Sequence, residues 1–122
     1  MRKPNKVAFY LRSATGNLAD LKKQKKLLAE GLKRFYPSSY EVAIYRDDCQ
    51  SGLQDGPNFL CLKQDIVYGK IDAVFIASIS RISRNPKKLF AFTKLIRDRQ
   101  VRLLSVLENV DSSLWSSLGA EL

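Results

Sequence analysis

The sequence predicts an α/β fold with a mainly parallel central sheet of four to five strands and helices on both faces. Short apolar segments alternate with amphipathic ones along the 122 residues, which is the order expected of a β-α-β-α-β-α-β chain. The segment 72–79 is apolar at nearly every position, as in a strand that is covered on both faces. With 45% hydrophobic and 27% charged residues, the composition is that of a globular protein with one modest core.

The first half of the chain predicts two strands and one helix. Residues 6–11 are a short apolar run and predict the first strand. Residues 17–36 predict an amphipathic helix, because apolar side chains recur at helical spacing with lysines on the other faces. These apolar side chains are Leu18, Leu21, Leu28, Leu32 and Phe35. After a break at residues 37–39, residues 40–45 predict a second strand, and the segment 47–56, with its Asp and Gly residues, predicts a loop.

A second helix and a third strand follow this loop. Pro57 at a first helical turn and Gly69 as a C-terminal cap predict a helix over residues 57–68. The apolar run over residues 72–79 then predicts the third strand, the most hydrophobic of the chain.

The remaining elements are a polar loop, a helix and a strand. Residues 80–84 predict the loop. Asn85 and Pro86 supply an N-cap and a proline at the first helical position, so a helix is expected to run from there to about Arg99. Residues 102–107 predict a fourth strand.

The positive charge is concentrated at the two ends of the sequence. The chain has 21 Lys and Arg against 12 Asp and Glu, a net charge of +9. Residues 1–36 carry +8, residues 37–75 carry −3 and residues 76–122 carry +4. This order favours a polyanionic partner such as nucleic acid on one basic face. The alternative is a solvated, lysine-rich helix that only aids solubility.

Several classes of site are excluded by what the sequence lacks. Without histidine there is no Ser-His-Asp or Cys-His relay and no histidine-rich metal site. Cys49 and Cys61 match no zinc spacing and are too few for a disulfide framework, which favours a reduced, cytoplasmic protein. No apolar run reaches the ~20 residues of a membrane span. We therefore expect no metal and no membrane association.

Arginine residues follow the strands at the edge of the sheet where ligands are expected. In open parallel sheets, ligands bind at the carboxyl ends of the strands. The first strand leads into Arg12, the second into Arg46, and the third into a loop with Arg81 and Arg84. Planar guanidinium groups give phosphate oxygens two parallel, charge-assisted hydrogen bonds. We interpret this edge as a phosphate or phosphodiester site; the alternative is a set of solvated loop arginines.

Two further features have more than one interpretation. Gln24 lies on the apolar stripe of the first helix, three residues after Leu21 and four before Leu28, so its amide makes a buried structural hydrogen bond or points at the site. The adjacent acids Asp47 and Asp48 are a candidate metal-binding pair, but such pairs at strand ends are more often turn or helix-cap devices.

Four motifs, in order, resemble those of the N-terminal catalytic domain of serine recombinases, the resolvase/invertase family. They are Tyr10 to Thr15 at the end of the first strand, Gln24 as the helix glutamine, Asp48 with Ser51 and Gly52 as a loop signature, and Ile79 to Arg84 as the strand-three motif. With the similarity of residues 101–111 to the last strand and following loop, the resemblance covers residues 7–111, nearly the whole chain.

This resemblance implies a resolvase-like fold and arginine-based phosphoryl transfer on DNA. In the family a serine attacks a DNA phosphodiester and forms a phosphoserine link, and arginines stabilise the charge of the transition state. The matching positions here are Ala14 for the nucleophile, with Arg12, Arg81, Arg84 and Gln24 around the phosphate. The supporting positions are Tyr10, Asp48, Ser51 and Ser80. The resemblance also implies DNA as partner, dimers or tetramers, no cofactor, and a role in the recombination or integration of mobile elements such as transposons.

Three departures from the family pattern lead us to expect that cleavage is weakened or lost. Ala14 has no hydroxyl, Ser80 stands where an Asp is expected, and Gly56 stands where an Arg is expected. Ser13 is the candidate substitute nucleophile, but side chains alternate along a strand, so Ser13 should point away from the face shared by Tyr10, Arg12 and Ala14. Three departures favour a natural, degenerate domain over a single engineered change.

The same residues are compatible with two functions other than DNA cleavage. The chain is expected to be one resolvase-like catalytic domain over residues 1–122, without the family's long dimerisation helix and DNA-binding domain. An alternative is a non-catalytic module that keeps the fold and associates with DNA or with active recombinase subunits. A third possibility, from another class, is a small α/β protein that binds a phosphorylated small molecule.

Overall fold

The structure, a computed structural model, describes residues 6–13, 16–35, 40–48, 56–82, 85–108 and 110–111. Its strands are β1 (Lys6–Ser13), β2 (Glu41–Asp48), β3 (Ala73–Ile76), β4 (Arg102–Ser105) and β5 (Val110–Asp111). Its helices are α1 (Leu18–Phe35), α2 (Pro57–Val67) and α3 (Pro86–Asp98), with a 3-10 turn at Ile79–Arg81. The predicted alternation of strands and helices is confirmed.

The strands form one five-stranded sheet in the order β2-β1-β3-β4-β5. The first four are parallel, and β5 pairs antiparallel with β4, so the mainly parallel sheet is confirmed. The chain leaves β1 toward β2 on one side and returns to β3 on the other. The order of strands thus reverses beside β1, and ligands in such sheets bind at this switch point, outside the carboxyl ends of the strands.

The core consists of two apolar layers, one on each face of the sheet. Alternate residues of β1 point to opposite faces: Ala8 and Tyr10 face α2 and α3, whereas Val7, Phe9 and Leu11 face α1. The first layer contains Phe59, Leu62 and Ile66 of α2 with Phe92 and Ile96 of α3. The second contains Leu21 and Leu28 of α1. Burying each large apolar side chain contributes about 1.5–3 kcal/mol, so both faces hold the sheet in place.

The first two strands extend further than predicted. The parallel register between β1 and β2 continues through Arg12 opposite Asp47 and Ser13 opposite Asp48. The prediction of a loop at residues 47–48 is therefore wrong, because pairing with β1 draws these polar residues into the sheet. As a result, Arg12 belongs to strand β1 and not to a loop.

The third and fourth strands are shorter than predicted. The chain turns after β3 because the Arg81 and Ile82 N–H groups donate to the carbonyls of Ser78 and Ile79, which closes the 3-10 turn. β4 ends at Ser105, and the two residues of β5 were expected to lie in a loop. The loop predicted at residues 80–84 is thus partly a 3-10 turn.

Asparagine side chains cap two helices, and only the cap at Asn85 was predicted. The Asn17 carboxamide oxygen accepts hydrogen bonds from the N–H groups of Ala19 (2.9 Å) and Asp20 (3.2 Å) at the start of α1. The Asn85 oxygen accepts from the Lys87 N–H (2.9 Å) at the start of α3. Both arrangements satisfy N–H groups that the first turn of a helix leaves without partners.

The end of α2 depends on a glycine. Gly69 has φ +74°, and its N–H donates to the Ile66 carbonyl while the Lys70 N–H donates to the Asp65 carbonyl. This pair of bonds is a Schellman motif, which places its αL residue where glycine is favoured. The cap predicted at Gly69 is therefore confirmed.

A hydrogen bond fastens α2 to the neighbouring strand. The Tyr45 hydroxyl donates to Asp65 Oδ2 at 2.5 Å. Burial, together with the hydrogen bond to Asp65 and its negative charge, raises the pKa of Tyr45 above its usual range.

None of the helices in the described ranges has both the length and the apolar character needed to cross a bilayer.

Candidate active site

Arg12 lies at the carboxyl end of β1 with only 4% of its surface exposed. Its Nε donates to the Arg81 carbonyl at 2.8 Å and its Nη2 to the Ser80 carbonyl at 2.6 Å. A buried cation is tolerated when its N–H groups find acceptors, and the 3-10 turn supplies them. The guanidinium of Arg12 is therefore held at the end of β3 as well as β1.

Arg81 returns the interaction. Its Nη1 donates to the Arg12 carbonyl at 3.1 Å, and its Nη2 lies 3.4 Å from Asp20 Oδ1. The side chain is 31% exposed, whereas Arg12 is buried. Each arginine thus hydrogen-bonds the backbone of the other, and the two positive groups converge at the switch point of the sheet. The sequence predicted this convergence, and the structure brings these two residues together.

Gln24 joins α1 to the same backbone segment. Its Oε1 accepts from the Arg12 N–H (3.3 Å), and its Nε2 donates to the Arg12 carbonyl (3.0 Å) and to Asp20 Oδ2 (3.0 Å). The amide is 3% exposed, so it makes the buried structural hydrogen bonds that one interpretation of the sequence required. Since its partner is Arg12, it also lies within the candidate site.

Asp20 is a site residue that the sequence reasoning missed. Its carboxylate lies between Gln24 and Arg81 and contacts both. The available signal was its spacing: Asp20 precedes Gln24 by four residues, so both lie on one face of α1. The apolar stripe and the lysines of this helix are stronger patterns than a single carboxylate.

The serines near Arg12 are engaged in local contacts. Ser13 is buried, and its Oγ accepts from the Asn17 N–H at 3.1 Å, on the turn toward α1. Ser80 is exposed, and its Oγ lies 2.8 Å from Ser78 Oγ. The alternation of faces expected along β1 is seen in these contacts, because Arg12 reaches the 3-10 turn and Ser13 reaches the start of α1.

Asp47 caps helix α2, in agreement with the interpretation of Asp47 and Asp48 as a helix-cap device. Its Oδ1 accepts from the Asn58 N–H (3.0 Å), and its Oδ2 accepts from the Phe59 N–H (2.9 Å) and the Tyr10 hydroxyl (2.8 Å). A Cβ on Gly56 would overlap this carboxylate, so the glycine lets the carboxylate reach the helix. Within the described ranges, no cluster of three His, Cys, Asp or Glu residues is placed to hold a metal.

Glu108 fixes the 3-10 turn from the far side and was also missed. Its Oε1 accepts from the Ile79 N–H at 2.9 Å and from the Ser105 hydroxyl. The N–H at the start of the turn is thereby satisfied by a residue that follows β4. Glu108 holds the turn that carries Arg81, and its position after a short strand gave no sequence signal of this role.

Four of the predicted site residues cannot be placed by their side chains. Ala14, Ser51 and Arg84 lie outside the described residues, and Asp48 is described only as the last residue of β2. The Tyr10 hydroxyl donates to Asp47, which caps the start of α2. The described part of the site therefore consists of Arg12, Arg81, Gln24 and Asp20.

This arrangement suits an anion with several oxygen atoms. Two guanidinium groups and one carboxylate leave a net positive charge at the end of β1 and β3. Guanidinium groups fixed in advance stabilise negative charge on phosphate oxygens without reorganising. These charges lie at the switch point of a parallel sheet, where ligands of such folds bind.

Nearly the whole chain is similar to one known protein family. A family model described as "Resolvase, N terminal domain" matches residues 7–116. A comparison with curated protein sequences found no significant match.

Solved structures of recombinases share the fold. The N-terminal catalytic domain of TP901-1 integrase superposes with a TM-score of 0.80 at 24% identity, covering 89% of this chain and 83% of that one. A resolvase family site-specific recombinase from Streptococcus pneumoniae gives a TM-score of 0.71 at 26% identity, covering 96% and 85%. The C-terminal catalytic domain of ISC1926 TnpA, an IS607-like serine recombinase, gives 0.72 at 21% identity, covering 83% and 69%. The chain belongs to the resolvase family of serine recombinases, and its fold is that of their catalytic domain.

Proposed function

We propose that this chain is the catalytic domain of a site-specific DNA recombinase in which DNA cleavage is weakened or lost. The observation that carries the proposal is the pairing of Arg12 and Arg81, whose guanidinium groups bond to each other's backbone at the ends of β1 and β3. A DNA phosphodiester is the anion that fits both this pair and the family of the chain.

The two arginines have different parts in this proposal. Arg12 is buried and bonded to the carbonyls of the 3-10 turn, so it fixes the turn and adds a constant positive field. Arg81 is partly exposed, so its guanidinium is the group that meets a phosphate oxygen. Gln24 holds the backbone between them. We include Arg84, Ser51 and Asp48 in the site on the resemblance of their motifs alone.

Loss of cleavage follows from the nucleophile position. Ala14 has no hydroxyl, and an alanine side chain cannot form a phosphoester. Ser13, the candidate substitute, accepts a hydrogen bond from the Asn17 N–H and is buried, which supports a structural part for its hydroxyl. The same loss supports the alternative of a non-catalytic module that regulates active recombinase subunits.

The proposed partners follow from the family. We propose that the protein binds DNA and further copies of itself, as dimers or tetramers, and needs no cofactor. We propose that it acts in the cytoplasm, in the recombination of a mobile element. We propose that residues 1–122 act as one catalytic domain.

The binding part of the proposal is tested by the salt dependence of DNA affinity. Fluorescence anisotropy with a labelled duplex is measured at several salt concentrations. Since binding to phosphates releases counterions, the logarithm of the affinity is expected to fall linearly with the logarithm of salt concentration. A flat salt response would contradict DNA binding.

The loss of cleavage is tested by a search for a covalent adduct. The protein is incubated with DNA that carries its recombination site, and the mixture is separated on a denaturing gel, with an active serine recombinase and its own site as control. We expect no protein–DNA adduct from this chain. An adduct that disappears in Ser13→Ala would overturn the proposed inactivity and identify Ser13 as the nucleophile.

A further inference from the structure

Asp20 is the acidic side chain of the candidate site. It lies in the first turn of α1, and its Oδ1 is 3.4 Å from Arg81 Nη2. Its Oδ2 accepts a hydrogen bond from Gln24 Nε2 at 3.0 Å. Both members of the ion pair are about one-third exposed, at 32% for Asp20 and 31% for Arg81, so the pair lies at the mouth of the site.

The carboxylate is held in place from two sides. Gln24 is fixed by two hydrogen bonds to the Arg12 backbone, so the Asp20 oxygen that it binds is fixed as well. The Asp20 backbone N–H is bonded to Asn17 at the start of the helix. An ordinary surface ion pair contributes little, partly because two flexible side chains must be ordered. Here the surrounding contacts have already ordered the carboxylate.

We infer that Asp20 is an internal counter-ion of Arg81 that a phosphate must displace to bind. The carboxylate occupies a guanidinium edge that phosphate oxygens would otherwise take, and its charge repels a second anion. Asp20 therefore competes with a ligand for Arg81 and lowers the affinity for small free anions. A DNA phosphodiester, which is also held by contacts elsewhere along the duplex, displaces it more readily. This inference rests on the proposed phosphate site.

The other charges near this helix do not duplicate this role. Lys22, Lys23, Lys25 and Lys26 are exposed residues of α1, and the described contacts pair none of them with Asp20. Glu30 is also an exposed acidic residue of α1, about three turns beyond Asp20 and without a described contact to Arg81. Glu30 therefore provides a matched control for a loss of one negative charge from the same helix.

The test is a titration with inorganic phosphate at constant ionic strength. Backbone amide shifts of Arg12, Gln24 and Arg81 are followed by NMR in the unsubstituted protein, Asp20→Asn and Glu30→Gln. We expect Asp20→Asn to bind phosphate about three- to tenfold more tightly, because one nearby negative charge is removed. Glu30→Gln should change the affinity by less than about twofold, since distant exposed charges are screened. Asp20→Ser, which keeps a residue favoured near helix starts, should behave like Asp20→Asn.

Each result supports or overturns the inference. Equal affinities in Asp20→Asn and Glu30→Gln would show an effect of net charge alone and would overturn it. Weaker binding in both Asp20→Asn and Asp20→Ser would show that the carboxylate only orients Arg81, and would overturn it too. If phosphate moved none of the three amides in any protein, the proposed phosphate site itself would fail. If phosphate moved them without tighter binding in the Asp20 variants, only the counter-ion role would fail.

Discussion

At the scale of single residues, Asp47 joins the end of β2 to the start of α2. Its carboxylate accepts from two N–H groups in the first turn of α2 and from the Tyr10 hydroxyl of β1. A negative charge at a helix N-terminus is favoured by the helix dipole. Gly56 makes room for it, because any Cβ at that position would overlap the carboxylate.

The contact between Gly56 and Asp47 gives a stability prediction. Gly56→Ala should lower the free energy of unfolding by about 1–3 kcal/mol, since the added methyl group displaces a buried, hydrogen-bonded carboxylate. Urea unfolding measures this change. In the Asp47→Ala background the same Gly56→Ala substitution should cost much less, as a double-mutant cycle would show. An equal cost in both backgrounds would contradict the steric explanation.

Some residues of the candidate site could be predicted from the sequence and others could not. The sequence predicted that Arg12 and Arg81 lie at the same edge of the sheet, because both come at the carboxyl ends of parallel strands. Asp20 and Glu108 were not predicted, because their roles depend on where α1 and the turn after β4 lie against the 3-10 turn. Such contacts between distant segments leave no periodic signal in the sequence.

At the scale of elements, two helices end in the same motif with different residues. The αL position after α2 is Gly69, but the equivalent position after α3 is Gln100, with φ 57°. The Gln100 N–H donates to the Arg97 carbonyl and the Val101 N–H to the Ile96 carbonyl, as a Schellman motif requires. A side chain at this φ is strained, and the packing of Val101 and Ile96 in the core holds it there.

The strain at Gln100 gives an element-scale prediction. Gln100→Gly should raise the melting temperature and stabilise the protein by about 0.5–1 kcal/mol, because glycine adopts positive φ without steric cost. The neighbouring Arg99 has φ −96°, so Arg99→Gly relieves no strain and should destabilise the protein. A destabilisation by Gln100→Gly equal to that by Arg99→Gly would contradict the presence of strain.

The elements themselves could be predicted more reliably than their ends. The cap at Asn85 and the glycine after α2 are local signals, and the helix start and end that they predict are close to those observed. The ends of β1, β2 and β3 were misjudged, because a strand ends where its neighbour ceases to pair with it. The register of Ser13 opposite Asp48 shows how pairing overrides the polar character of both residues.

At the scale of the whole molecule, the net charge of +9 separates into two parts. Arg12 and Arg81 are fixed at the switch point of the sheet by bonds to each other's backbone. The lysines of α1 are exposed and belong to a solvated helix face.

The family and the fold could be predicted from ordered motifs and from the alternation of strands and helices. Position 14 is an alanine, and its correspondence to the family's nucleophile rests on the resemblance of the surrounding motif alone.

We propose that the arginine pair at the switch point binds a DNA phosphate. This proposal is tested most directly by comparing DNA affinity in Arg81→Gln and Arg99→Gln, which remove equal charge from opposite ends of the sheet. We predict that Arg81→Gln weakens binding by roughly three- to tenfold and lowers the magnitude of the salt slope by about one, while Arg99→Gln leaves both nearly unchanged. Equal effects of the two substitutions would mean that DNA senses only overall charge, and would contradict a phosphate site at Arg12 and Arg81.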